Sequence, residues 1–147
     1  MQTWIIYGIL ASFFWGSYII AAKVATSEKY FGINPALVSL FMLVGMAAVF
    51  VIAVLLEGNF ETPKSSLGIV FSVLAGVLWA LGIFVSIKAL SLGASVSKLA
   101  PLYNTNTLVA VFLGIVLLKE IPNSTGNTLK LIIGAILIVV GAFLVSD

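Results

Sequence analysis

Five long apolar stretches constrain this sequence more than any other feature does. They run over Trp4–Ala22, Ala36–Leu56, Leu67–Leu90, Leu99–Leu118 and Leu129–Val145. A helix needs about 17 to 25 apolar residues to cross the hydrocarbon core of a bilayer, whereas a barrel strand would alternate over about ten residues. The sequence therefore predicts an all-α integral membrane protein, a single domain over residues 1–147 with five transmembrane helices.

The composition excludes several classes of protein. Of the 147 residues, 62% are hydrophobic and 8% are charged, against about 25% charged in an ordinary soluble domain. The chain contains neither Cys nor His, which removes thiolate sites and the commonest metal ligand. We therefore expect no metal and no other cofactor. The net charge of +2 comes from scattered lysines and indicates no nucleic-acid partner.

Acidic residues are absent from all five predicted spans. Proton-coupled and cation-exporting transporters commonly use an intramembrane carboxylate, and an intramembrane enzyme would need an acid and a base. The sequence therefore predicts neither catalysis nor strong coupling to protons, and transport, if it occurs, should follow the gradient of the solute.

The lysines are divided almost evenly between the two sides of the predicted bundle. One side receives Lys23, Lys29, Lys88 and Lys98, and the other receives Lys64, Lys119, Lys130 and the N-terminal amine. The positive-inside rule then favours neither orientation strongly. Either the chain inserts in one orientation that the lysines specify only weakly, or it has dual topology, in which copies insert both ways and pair.

The first stretch should remain in the mature protein, because no Lys or Arg precedes it and Lys23 follows it. Lys23, Lys88 and Lys98 lie near span ends on one side of the membrane. Their stems are long enough to carry the ammonium groups to the headgroups. The alternative is a basic mouth that favours anionic or zwitterionic solutes.

Small residues recur on single faces of three spans. Helices in lipid approach closely where small residues are spaced in this way. The candidate packing positions are Gly8, Ser12 and Gly16 in the first span, Ser72, Gly76 and Ala80 in the third, and Gly134 and Gly141 in the fifth.

The fourth span carries the strongest signal for a functional site, the run Tyr103-Asn104-Thr105-Asn106-Thr107. An unpaired carboxamide in hydrocarbon costs several kcal/mol, so Asn104 and Asn106 need partners or water. Helical spacing places Tyr103, Asn106 and Thr107 on one face, with Asn104 beside Thr107. Two interpretations remain open, hydrogen bonds between helices or a water-filled cavity that binds a solute. Pro101 is predicted in the first turn, where its missing N–H costs little. It could also leave this end of the helix locally irregular, which membrane depth tolerates only where the backbone is buried or faces water.

Three aromatic residues lie deep in their spans, away from the interfacial belt. Trp15 shares a stripe with Ser12 and Gly16, and Tyr18 follows one turn later. Trp79 shares a second stripe with Gly76 and two serines. We expect these groups either to fill the core or to converge on a solute pathway.

Two stretches together resemble the EamA domain of the drug/metabolite transporter superfamily. The first is Phe14-Trp15-Gly16-Ser17-Tyr18-Ile19-Ile20-Ala21-Ala22-Lys23, similar to the Trp-Gly…Lys pattern of the family's first span. The second runs from Ala89-Leu90-Ser91-Leu92-Gly93-Ala94 through Leu99-Ala100-Pro101 and Leu117-Leu118-Lys119-Glu120 to Leu131–Gly141, and resembles the C-terminal half of the domain in order and spacing.

The chain departs from the family pattern in two places. The usual Leu-Gly-Glu after the fourth span is Leu118-Lys119-Glu120 here, and the Asn104–Thr107 segment is more polar than usual. Most members of the family carry two inverted repeats, whereas this chain has one. The resemblance implies a half-transporter with a central pathway between repeats and alternating access.

The sequence thus predicts a facilitator or exchanger of a small metabolite in the cell (inner) membrane, a multi-pass protein that acts as a homodimer, with the two copies antiparallel if topology is dual. Its partners would be the lipid bilayer, the solute and a second copy. A small multidrug antiporter fits poorly, since four spans and an acid in the first would be expected. The alternative from another class is a non-transporting assembly component or a lipid scramblase.

Overall fold

The computed structural model describes residues 3–58, 65–122 and 124–146. Within these ranges the chain forms helices and turns, with no strand. The helices are α1 (Thr3–Thr26), α2 (Pro35–Glu57), α3 (Ser66–Ser91), α4 (Val96–Tyr103), α5 (Asn106–Leu117) and α6 (Thr125–Ser146). Because α4 and α5 together form one span over Val96–Leu117, five segments within the described residues are long and apolar enough to cross a membrane. The predicted all-α transmembrane fold is confirmed.

Local side-chain chemistry sets the ends of α2 and α3. The Asn34 side chain accepts a hydrogen bond from the Ala36 N–H at 2.9 Å, and Pro35 opens α2 where its missing donor costs nothing. The Ser65 hydroxyl accepts from the Leu67 N–H at 3.2 Å. Gly58 ends α2 with a φ of +64°, a left-handed conformation that glycine adopts without steric cost.

The described helices form two compact units, Met1–Ile19 with Ala94–Asp147, and Ile20–Gly93. In the first unit α6 packs against both α4 and α5. Its small residues Ala135 and Ala142 are buried in α6.

In the second unit α2 packs against α3. The fully buried side chains of this unit are Ile87 and Leu90, on one side of α3. Thr26 is also buried, and its hydroxyl donates to the Ala22 carbonyl at 2.8 Å, so no polar group is left unsatisfied there.

Large apolar side chains cover the outside of every span. Phe50 is 63% exposed and Leu55 is 71% exposed, both on α2. In a soluble protein such a surface would aggregate, but in hydrocarbon it is the expected outer face. The spans therefore place this surface in contact with the lipid bilayer.

Candidate functional site

The fourth span is interrupted in the middle of its polar run. α4 ends at Tyr103 and α5 begins at Asn106, with Asn104 and Thr105 in a turn between them. Both turn residues have ψ values near zero, −10° and −13°, far from the α-helical value of about −42°. The sequence predicted the polar cluster within the fourth span, and the structure divides the span at the cluster.

The backbone hydrogen bonds tighten across the break. The Thr105 N–H donates to the Leu102 carbonyl at 3.1 Å, and the Thr107 N–H donates to the Asn104 carbonyl at 3.1 Å. In a regular helix these donors would reach the carbonyls of Pro101 and Tyr103. The shift to three-residue spacing is that of a short 3₁₀ segment, which often marks a functional hinge.

Pro101 lies inside α4, shortly before the break. The prediction that it opens the helix is wrong, because α4 begins at Val96 and Pro101 lies inside it. The Ser95 carbonyl already accepts from the Leu99 N–H at 2.9 Å, which extends the helix toward the N-terminus. A proline inside a helix removes one donor and crowds the preceding turn, and the break follows three residues later.

The side chains at the break are polar and accessible. Thr105 donates its hydroxyl to the Leu102 carbonyl at 2.7 Å, which holds the turn. Asn104 and Asn106 are exposed, and neither side chain forms a hydrogen bond within the described parts of the chain. Tyr103 and Thr107 are half-buried beside them. The carboxamides therefore remain available to water, to a solute or to another chain.

The candidate pathway residues of α1 belong to the same compact unit as this break. The Ser12 hydroxyl donates to the Gly8 carbonyl of its own helix at 2.9 Å, which leaves only its lone pairs for a solute. The rings of Trp15 and Tyr18 contact each other edge to face, with centroids 6.0 Å apart. Trp79, which is 38% exposed, belongs to the other unit.

The candidate packing glycines face open space. A Cβ atom added at Gly8, Gly16, Gly76, Gly134 or Gly141 would meet no neighbouring heavy atom of the described chain within 4 Å. Their role in close helix packing stays a prediction, and the surface they offer is open to a second copy.

Glu120, which the sequence indicated only as part of a motif after the fourth span, lies against the end of that span. Lys119 has a φ of +56°, which turns the chain back after α5. The Glu120 N–H then donates to the Gly114 carbonyl at 3.1 Å. A Cβ atom on Gly114 would lie 3.3 Å from Oε2 of Glu120, so the carboxylate follows the helix backward. The sequence feature that could have indicated this contact is Gly114, one turn before the span ends.

The Lys23 side chain contacts one particular backbone group of the protein. Its ammonium group donates to the Leu90 carbonyl at 3.2 Å. Leu90 lies in the last turn of α3, where the helix dipole favours a cation. Its carbonyl also accepts from the Gly93 N–H at 3.2 Å. The side chain therefore caps α3, which neither headgroup contact nor a basic mouth predicted.

Five apolar spans, the fourth interrupted at polar residues, define a multi-pass helical membrane protein. Among known families, the EamA-like transporter family matches residues 2–147. The chain belongs to this family, whose members are membrane transporters. Comparison with curated proteins and with solved structures returned no match.

Proposed function

We propose that this protein is a half-transporter of the cell (inner) membrane, which moves a small metabolite as a facilitator or exchanger. Residues 1–147 act as one EamA repeat, and two copies form the pathway. The Tyr103–Thr107 segments of both copies face a shared central cavity, with Ser12, Trp15 and Tyr18 of the same compact unit contributing.

The interrupted fourth span carries this proposal. Irregular backbone is tolerated at membrane depth where it is buried in protein or lines water, and transporters commonly bind their substrates at such broken helices. Asn104 and Asn106 have no side-chain partner within the described parts of the chain.

Two observations support an antiparallel homodimer. The lysines favour neither orientation. The glycine stripes of α1, α3 and α6 face open space, which suits close approach by another helix.

The test is solute flux in proteoliposomes, first screened with amino acids, nucleobases, sugars and organic acids. Asn104→Leu and Asn106→Leu should each reduce flux about three- to tenfold, because one lost hydrogen bond to the solute costs about 1 kcal/mol. Asn127→Leu, in the first turn of α6, is the matched control and should transport normally.

Two results would contradict the proposal. One is a pair of amide variants that fold and transport every solute as the unsubstituted protein does. The other is aggregation of both amide variants with normal flux from the folded remainder, which would assign the amides to helix association. Lipid translocation without solute flux would favour the scramblase alternative.

A further inference from the structure

Asn106 lies at the middle of the fourth span. The span covers the 22 residues Val96–Leu117, and Asn106 stands ten positions after its first residue and eleven before its last. Each end of the span is therefore about 15 Å away, which is half the thickness of the hydrocarbon core. Bulk water does not reach this depth, so the polar atoms of Asn106 need partners from protein, from a wet cavity or from a solute.

The Asn106 carboxamide is exposed and has no partner in its own chain. Neither its oxygen nor its NH₂ group forms a hydrogen bond within the residues that the structure describes. The neighbouring Thr105 hydroxyl is already used, since it donates to the Leu102 carbonyl at 2.7 Å. Asn106 therefore offers an acceptor and a donor side by side, in the plane of one amide group.

Each charged side chain of the described spans lies near a span end. Lys23 and Lys88 are fourth from the ends of α1 and α3, Glu57 is the last residue of α2, Lys98 is the third residue of the fourth span, and Lys130 is the sixth of α6. An ionised solute at the depth of Asn106 would find no counter-charge there, which is costly away from water. This depth therefore favours an uncharged solute.

The surface of α5 around Asn106 restricts the shape of that solute. Val109 and Ala110, three and four residues later, are its neighbours on the helix surface, and both are exposed and apolar. A polyol would place hydroxyl groups against these side chains without partners. A flat ring with adjacent N–H and C=O groups turns one polar edge to the carboxamide and leaves its faces for apolar contact.

We propose that Asn106 binds an uncharged planar solute through a lactam edge, an N–H beside a C=O in one ring. The N–H of the solute donates to Oδ1 of Asn106, and the carbonyl of the solute accepts from Nδ2, so that two parallel hydrogen bonds form. This inference rests on the proposed function, because it names the substrate class of the same site. Carboxylates, amines and polyols are excluded as substrates.

The test measures equilibrium binding of uracil, a probe that carries this edge, to the full chain in phosphatidylcholine nanodiscs by calorimetry. Three other probes are titrated into the unsubstituted chain, so that the result does not depend on the folding of a variant. N,N′-Dimethyluracil keeps the ring but loses both N–H groups, orotate adds a carboxylate, and xylitol is an uncharged polyol. Each should bind at least about tenfold more weakly than uracil, because hydrogen bonds are lost or a charge is left unpaired.

Variants then assign the binding to one side chain. Asn106→Leu should weaken uracil binding about tenfold or more, because both hydrogen bonds are lost. Asn127→Leu removes an exposed carboxamide from the first turn of α6 and should bind uracil normally. Normal uracil binding by folded Asn106→Leu would overturn the proposal, as would equal affinity of the unsubstituted chain for uracil and any of the other three probes.

The same measurements separate this inference from the proposed function. If no uracil binds, while Asn106→Leu reduces the flux of another solute, the substrate class is wrong and the half-transporter stands. If no uracil binds and no solute crosses, both are wrong, and contact between copies remains as the use of Asn106. Selective uracil binding that Asn106→Leu weakens, without flux of any solute, would support the site and contradict the half-transporter.

Discussion

Lys119 illustrates how one residue positions a functional group. It has a φ of +56°, in the left-handed region where a residue with a Cβ pays about 1 to 2 kcal/mol. The family pattern that this stretch resembles has glycine at position 119. The structure gives the reason, because the chain must reverse here to place Glu120 beside Gly114. Lysine in place of glycine at position 119 therefore keeps the turn but adds backbone strain.

Replacing this residue by glycine should release the strain. Lys119→Gly is expected to raise the free energy of unfolding by about 1 kcal/mol, measured as a higher midpoint of thermal unfolding in a fixed detergent. Lys119→Ala is the matched control, since it removes the same charge and keeps the Cβ. A gain of equal size for Ala and Gly would show that the charge, rather than the backbone, limits stability.

At the scale of helices, the apolar stretches were sufficient to predict how many spans the chain has. The length of each stretch predicts a span, because a segment that crosses lipid must pair all its backbone N–H and C=O groups internally, and a helix does this. The polar run Tyr103–Thr107 also indicated where the candidate site lies. The break at Asn104 and Thr105 was not predictable from periodicity, because it depends on ψ values near zero and on a hydroxyl bond to Leu102.

Two further features depend on contacts that a one-dimensional pattern does not contain. The return of Glu120 to Gly114 requires a left-handed residue in a place where lysine gives no such signal. The bond from Lys23 to the Leu90 carbonyl joins residues far apart in sequence. Composition identified both as polar groups near span ends, and three-dimensional placement gave them partners.

The Lys23 contact predicts a measurable role for one side chain in holding two helices. Lys23→Met should lower the free energy of unfolding by about 1 to 3 kcal/mol, because the C-terminal carbonyl of α3 loses a charged donor. Lys29→Met removes a lysine from the same side of the membrane, so the charge balance is matched. Lys29 is exposed and lies 5.9 Å from the centroid of the Tyr30 ring, a contact worth less than about 1 kcal/mol. Equal destabilisation by the two variants would contradict the capping role.

At the scale of the whole molecule, five spans would place residues 3 and 146 on opposite sides of the membrane. Two copies inserted the same way form a parallel pair, and two inserted oppositely reproduce an inverted repeat. Because the lysines are nearly balanced, a small change in charge should select one orientation. Accessibility of a C-terminal tag from each side of intact membranes should then reveal both orientations in the unsubstituted protein, and one location in every molecule would exclude dual topology.

Flux from orientation-locked copies tests the central claim most directly. Two lysines added between Gly58 and Ser66 bias the orientation of one copy, and two added between Ser27 and Pro35 bias the other copy in the opposite sense. Each locked copy expressed alone should insert, fold and show no solute flux, while co-expression of the two should restore it. Full flux from either locked copy alone would contradict the antiparallel half-transporter.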